Sequence, residues 1–326
     1  MSFPTTRMRR LRRTPALRRA FAETRLHPAQ LVLPMFVKDG IDEPSPIGAM
    51  PGVVQHTRAS AVAAAADAHA AGVGGVILFG IPARKDDLGS GGWDPDGPVP
   101  GTARAIKDQL GDELVVWADV CQCEYTDHGH CGPLDAHGQV VNDAAVSGYV
   151  RDALAYAEAG VDLVAPSGMM DGQVAAIREG LDVEGHAQVG IVAYAAKYAS
   201  AFYGPFREAA ESTMEGGDRA SHQMDPGNRR EARTELALDL DEGADVLMVK
   251  PAMPYLDVLV EARHAHDVPL AAYQVSGEHA MLQAAAERGW LDGDAVVLEA
   301  VRSIVRAGAD QVLTYAAVDV ARALDG

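Results

Sequence analysis

The stretch EGADVLMVKP, residues 242–251, decides how this chain is read. EGAD has the form of a helix end stopped by glycine. DVLMVKP is too short for a helix, rich in branched side chains and free of polar alternation, which is the pattern of a parallel strand buried on both faces. Related tetrapeptides recur at 71–74 (AGVG), 159–162 (AGVD) and 307–310 (AGAD), each just before another apolar run. Eight such runs are present: LVLPMFV (31–37), GVILFGI (75–81), LVVWADV (114–120), LVAPSG (163–168), VGIVAY (189–194), DVLMVKP (245–251), LAAYQVSG (270–277) and QVLTYA (311–316). Segments 61–71, 143–159, 229–242 and 298–307, rich in Ala, Leu, Glu and Arg, read as helices between them. Strand and helix alternating in this way predict a (β/α)8 TIM barrel, an α/β fold. The alternative is an open doubly wound sheet, but no G-x-G-x-x-G follows the first run.

Active sites of such barrels lie at the C-terminal ends of the strands. Asp119 and Cys121 follow or end the third run, and Ser167 ends the fourth. Lys197 follows the fifth and Lys250 ends the sixth. Tyr273 and Ser276 fall late in the seventh, and Tyr315 late in the eighth. The chemistry-bearing residues therefore converge on one mouth. Residues 86–101 read as a turn-rich loop, and 200–228 as a long loop at the mouth, placed to act as a lid. Arg207 and Arg219 in it suit a substrate carboxylate, and equally suit a solvated loop.

Two residue classes are used sparingly. The chain has 23 arginines and five lysines, Lys38, Lys85, Lys107, Lys197 and Lys250. Where charge alone is wanted it uses Arg, so the lysines invite a search for chemistry that a guanidinium cannot do. An amine at a buried strand end is desolvated, its pKa falls, and a second ammonium nearby lowers it further. The neutral amine attacks carbonyls. A lysine snorkelling to solvent is the plainer reading of either one alone. All three cysteines, Cys121, Cys123 and Cys131, lie in DVCQCEYTDHGHCG with the spacing C-x-C-x7-C. Their odd count and polar flanks oppose disulfides and inert core thiols. Three thiolates suit zinc, either catalytic with an open fourth position or structural and closed by His128 or His130.

The net charge is −18, spread unevenly: residues 1–25 hold eight Arg and one Glu, the remainder 20 basic and 45 acidic residues. An acidic body opposes nucleic-acid binding, and no apolar run is long enough for a membrane span. The basic segment lacks a following apolar region, so secretion is disfavoured and a reducing cytoplasm is expected. Residues 1–28 are read as an arm that attracts an acidic neighbour and drives homo-oligomerisation, with 29–326 as the barrel domain.

DVCQCEYTDHGHCG, AKYASAFYGPFR, MVKPAMPYLD and YQVSGEHAM, in that order, closely resemble the porphobilinogen synthase (5-aminolevulinate dehydratase) family, in its zinc-dependent, cysteine-rich branch. The resemblance runs from the arginine-rich start to the C-terminus. It implies a (β/α)8 barrel with an N-terminal arm, usually octameric, that condenses two 5-aminolevulinate molecules to porphobilinogen with loss of two waters. Lys250 and Lys197 match the lysines that bind the first and second substrates as Schiff bases. Cys121, Cys123 and Cys131 match the catalytic zinc ligands. Ser276 and Tyr315 match the partners of the first carboxylate. Arg207, Arg219 and Gln223 match those of the second. Asp119, Ser167, Tyr203, Phe206 and Tyr273 match other pocket positions, and Glu235 matches an allosteric magnesium ligand. Gly168, Ala220, His222 and Ala316 depart from common family patterns. A Schiff-base class I aldolase of the same fold and a zinc-stabilised, non-catalytic scaffold are the competing readings.

Overall fold

The computed structural model describes residues 2–214 and 216–324. Eight parallel strands form the barrel: β1 (Leu31–Lys38), β2 (Gly75–Ile81), β3 (Val115–Val120), β4 (Leu163–Pro166), β5 (Gly190–Lys197), β6 (Val246–Lys250), β7 (Leu270–Tyr273) and β8 (Gln311–Leu313). They pair in sequence order, and β8 returns to β1 through Leu31↔Val312 and Val32↔Leu313, which closes the ring. A small ribbon, Ser45–Pro46 with Val54–His56, extends beside β1. The helices are α1 (Pro15–Ala20), α2 (Arg58–Ala70), α3 (Pro98–Leu110), α4 (Asn142–Glu158), α5 (Gln173–Val183), α6 (Gly204–Ala209), α7 (Arg230–Asp241), α8 (Leu256–Ala265), α9 (Ser276–Glu287), α10 (Gly293–Ala307) and α11 (Ala317–Leu324). Among the described residues no helix is long and apolar enough to cross a membrane.

The apolar runs lack alternation because both strand faces are covered. Met35, Leu78, Val116, Val164 and Leu247 pack outward beneath the helices. Phe36, Phe79, Trp117, Tyr194, Met248 and Tyr273 point into the barrel. The helix stops also behave as read: Gly72, Gly160, Gly243 and Gly308 have φ of +77°, +87°, +106° and +124°, where a side chain would be strained.

One irregularity positions the chemistry. Val192 pairs with Val246 and Ala193 with Leu247, but Ala196 pairs with Val249 and Lys197 with Lys250. β5 therefore carries one extra residue between Ala193 and Ala196, a β-bulge. Val192 and Tyr194 face inward, so unbroken alternation would turn Lys197 outward; the extra residue reverses the phase and brings it beside Lys250.

Several expected boundaries shift. β5 runs on to Lys197, which ends the strand rather than following it. β7 stops at Tyr273, so Ser276 opens α9 instead of lying in a strand. β4 and β8 end before Ser167 and Tyr315. The loop expected over 86–101 already contains the start of α3, whose Pro98 suits a first helical position. The 200–228 segment is partly ordered by the turn Ala201–Tyr203 and by α6. No residue from 2 to 30 is buried, and Phe3 and Phe21 are 74 % and 58 % exposed.

Candidate active site

Lys197 and Lys250 are each 5 % exposed, and their ammonium nitrogens lie 5.4 and 5.0 Å from the Tyr194 ring centroid. Tyr273 lies 4.2 Å from the Lys250 nitrogen, with Phe206 at 5.2 Å and Tyr203 at 5.5 Å. This apolar cage strips water from the amine, and the neighbouring Lys197 charge repels its proton. The Lys250 pKa falls to about 7. At neutral pH a large fraction of Lys250 is therefore the free amine. Lys197 donates to the Ser167 carbonyl. Ser167 Oγ donates to Asp119 Oδ2 at 2.9 Å. Burial raises the Asp119 pKa against the pull of both lysines.

Phe79, Cys123, Glu124, Ser167, Lys197, Tyr203, Phe206, Arg219 and Lys250 line a tight pocket around the two lysine ends. The segment after β5 supplies Tyr203, Phe206 and Arg219, as a closed lid would. Ser276 Oγ accepts from the Phe206 N–H at 2.9 Å, and the Tyr273 and Tyr315 hydroxyls bond at 2.9 Å. Burial keeps both tyrosines protonated, as donors. Glu278 in α9 clamps the loop after Lys250. Its carboxylate accepts from the N–H groups of Ala252 (3.3 Å), Met253 (2.7 Å) and Val275 (2.8 Å). Desolvation raises its pKa to about 7.

The three sulfurs lie within 4.8 Å of one another, fully buried. Cys121 Sγ is 3.4 Å from Cys123 Sγ, which is 3.2 Å from Glu124 Oε2. The bond to Cys121, burial and the charges of Cys121 and Glu124 push the Cys123 thiol well up. Three crowded thiols with few partners besides one another fit a soft divalent cation. Burial alone would weaken the hold of Arg219 on its proton, but Cys131, Cys123, Cys121 and Glu124 together raise its pKa. The Tyr149 hydroxyl donates to the Cys131 carbonyl at 2.5 Å and pins the cysteine loop. It also accounts for Gly168: a Cβ there would sit 1.9 Å from that hydroxyl, so no larger residue fits beside Tyr149.

Some expected residues stand apart from the enclosed space. Gln223 is buried but lines a neighbouring cleft with His222, Asp171, Glu231 and Glu235. Arg207 does not line the cavity, and its Nε is buried without a partner. Burial raises the Glu235 pKa, and Asp171, Glu231 and Glu242 raise it further. Tyr194, Phe79, Glu124 and Glu278 were not picked out from sequence. Phe79 and Tyr194 are inward residues hidden in runs that are apolar throughout.

A family model described as Delta-aminolevulinic acid dehydratase matches residues 5–323. The chain belongs to the delta-aminolevulinic acid dehydratase family. It is therefore an enzyme, a lyase. The dehydratase of Mycobacterium tuberculosis is 60 % identical over 322 residues, 98 % of each chain. That of Streptomyces coelicolor is 56 % identical over 325 residues, covering 99 % of this chain and 98 % of the relative. The crystal structure of the Toxoplasma gondii dehydratase with its reaction product porphobilinogen superposes with a TM-score of 0.94 at 43 % identity, covering 97 % of this chain and 91 % of the other.

Proposed function

We propose that this dehydratase condenses two molecules of 5-aminolevulinate to porphobilinogen, with loss of two waters, and that Lys250 and Lys197 hold the two ketones as Schiff bases. The observation that carries this is the pairing of the two lysines across β5 and β6 at a closed, aromatic-lined cavity, with Lys250 shifted to about 7. A neutral amine adds to a ketone and water leaves; a dry cavity protects the imine from hydrolysis. Ser276 and the Tyr273–Tyr315 hydroxyl pair suit the carboxylate of the first substrate. Arg219 suits the second carboxylate, and Arg207 and Gln223 would join it on a shift of the lid that brings them to the cavity. Asp119, buried and hydrogen-bonded by the Ser167 hydroxyl, would stand as a proton-holding carboxyl near the two lysines.

Cys121, Cys123 and Cys131 would hold zinc, which as a Lewis acid would polarise a substrate carbonyl. Glu235 would hold magnesium, because mutually repelling carboxylates in its cleft are relieved by a divalent cation. The exposed arm, residues 1–28, would pack on another copy in a homo-oligomer, an octamer by family likeness. A cytoplasmic location fits the free, metal-ready thiols. A class I aldolase would leave the thiol trio and the second lysine without a role, and a scaffold would leave Lys250 without a reason to be desolvated.

The test is porphobilinogen formation from 5-aminolevulinate in thiol-containing buffer, with and without a zinc chelator. Product that vanishes on chelation and returns with zinc supports the whole reading. Product indifferent to chelation removes zinc from it, and no product with both metals supplied refutes it.

A further inference from the structure

The turn Ala201–Tyr203 and α6 bring Tyr203 and Phe206 over Lys250 from the β5 side of the mouth. A cover of this kind needs a fastening across the mouth that holds and still lets go. We propose that Glu211, just past α6, is that fastening: a positioning residue that holds the cover down, with Lys38, Gln55 and Lys85 as its anchors on the barrel. The proposal rests on reading the pocket beneath as the active site.

The end of α6 carries the argument. The Ser212 N–H donates to the Arg207 carbonyl at 3.0 Å, and the Glu211 N–H to the Glu208 carbonyl at 3.2 Å. This bond pair is a Schellman stop, in which the residue past the cap takes left-handed backbone and is ordinarily glycine. Here it is Glu211, with φ of +50°. A residue with a side chain keeps such a conformation where its surroundings over-determine it. The Glu211 carboxylate accepts from Lys38 Nζ, and from Gln55 Nε2 at 3.1 Å. Its carbonyl accepts from Lys85 Nζ at 2.6 Å. Gln55 Nε2 also donates to the Ala209 carbonyl at 2.9 Å. Partial burial alone would raise the Glu211 pKa, but the bonds from Lys38 and Gln55 hold it below its ordinary value. Lys38 ends β1, Gln55 pairs with Phe36 of β1, and Lys85 follows β2. All three anchors thus stand on the β1–β2 side, whereas the cover leaves the barrel from β5. The Lys38 and Glu211 side chains are 25 % and 41 % exposed, so water competes for the pair and the bond is weak enough to release. Two of the five lysines thereby gain a role at the mouth other than Schiff-base chemistry.

The experiment follows hydrogen exchange of the α6 amides in the full-length protein with zinc supplied. Glu211→Gly removes the carboxylate but relieves the left-handed backbone, so its urea midpoint should hold. Its α6 amides, that of Phe206 bonded to Ser276 among them, should exchange about fivefold faster, with α10 unchanged. Lys38→Met should act alike alone and add nothing in the Glu211→Gly chain, because its partner is already gone. Lys85→Met, whose partner is the carbonyl, should still add there. Unchanged α6 exchange, exchange raised equally in α10, or full additivity of Lys38→Met each overturns the fastening. The kcat/KM for 5-aminolevulinate should fall about as far as α6 exchange rises, and an unchanged value overturns the positioning role. Borohydride trapping on lysine of 4-oxopentanoate, the keto acid without the substrate's amine, reads the Schiff-base chemistry separately. Failure to trap in the unaltered protein refutes that underlying reading and leaves the exchange comparison to decide the fastening.

Discussion

Removing the charge of Lys197 should move the titration of Lys250 by a calculable amount. The two ammonium nitrogens lie 5.4 and 5.0 Å from one ring centroid, so they can be no further apart than about 10 Å. At an effective dielectric of ~20, unit charges at that separation repel by about 1.7 kcal/mol, or about 1.2 pH units. Closer approach makes the effect larger. In the native protein the free amine of Lys250 forms as pH rises through about 7. In Lys197→Gln that midpoint should rise to about 8 or above, while desolvation, the larger cause, keeps it below the ordinary lysine value of about 10.4. The assay is the pH dependence of borohydride trapping of 4-oxopentanoate on Lys250, located by peptide mass, with Lys250→Ala as the untrapped control. A native midpoint above 9 would show that Lys250 is solvated. A midpoint that stays at 7 in Lys197→Gln would show that the second ammonium does not act on it. Either result refutes the reasoning.

Cys123→Ser should lower zinc content and activity together, with added zinc restoring only part, as read by metal analysis and turnover. Glu278→Ala leaves two buried N–H groups and one part-buried N–H without their acceptor, each buried one worth about 1–3 kcal/mol. Its kcat should fall and its unfolding midpoint in urea should drop by the equivalent of several kcal/mol, and an unchanged midpoint would remove the clamp from the account. Gly168→Asp should weaken zinc retention by driving Tyr149 from the Cys131 carbonyl, and Tyr149→Leu in the same chain should recover much of it. Deleting residues 1–25 should reduce the mass of the assembly in sedimentation, and an unchanged mass would sink the arm reading.

The fold was legible because each helix stop and strand start leaves a local mark: the glycines of AGVG, AGVD, EGAD and AGAD adopt positive φ as their position demands. Lys250 and the cysteine trio stood out in the sequence because lysine and cysteine are rare in this chain, and the structure buries Lys250 at the end of β6 and the three thiols against one another. The strand ends themselves were not. Apolar character continues past β7 and β8 into the loops, so Ser276 and Tyr315 were drawn into strands. Glu278 was invisible because its role is to answer backbone N–H groups 25 and 26 residues away, and no residue pattern records that. Tyr149 and Gly168 are separately unremarkable, and only their contact explains either.

The bulge in β5 has a consequence for how such a site can arise. In a strand covered on both faces, an apolar residue is as acceptable on one side as on the other, so one inserted residue costs little in the core. Its effect falls on whatever polar residue lies downstream. Inserted before Lys197, it moves the amine from the helix layer to the lumen, opposite Lys250. Strand spacing of ~4.8 Å then sets the distance between the two side-chain origins, independent of any loop. A barrel with one reactive amine is thus a single codon insertion away from holding two at a fixed gauge, and its loops remain free to diverge without altering that gauge.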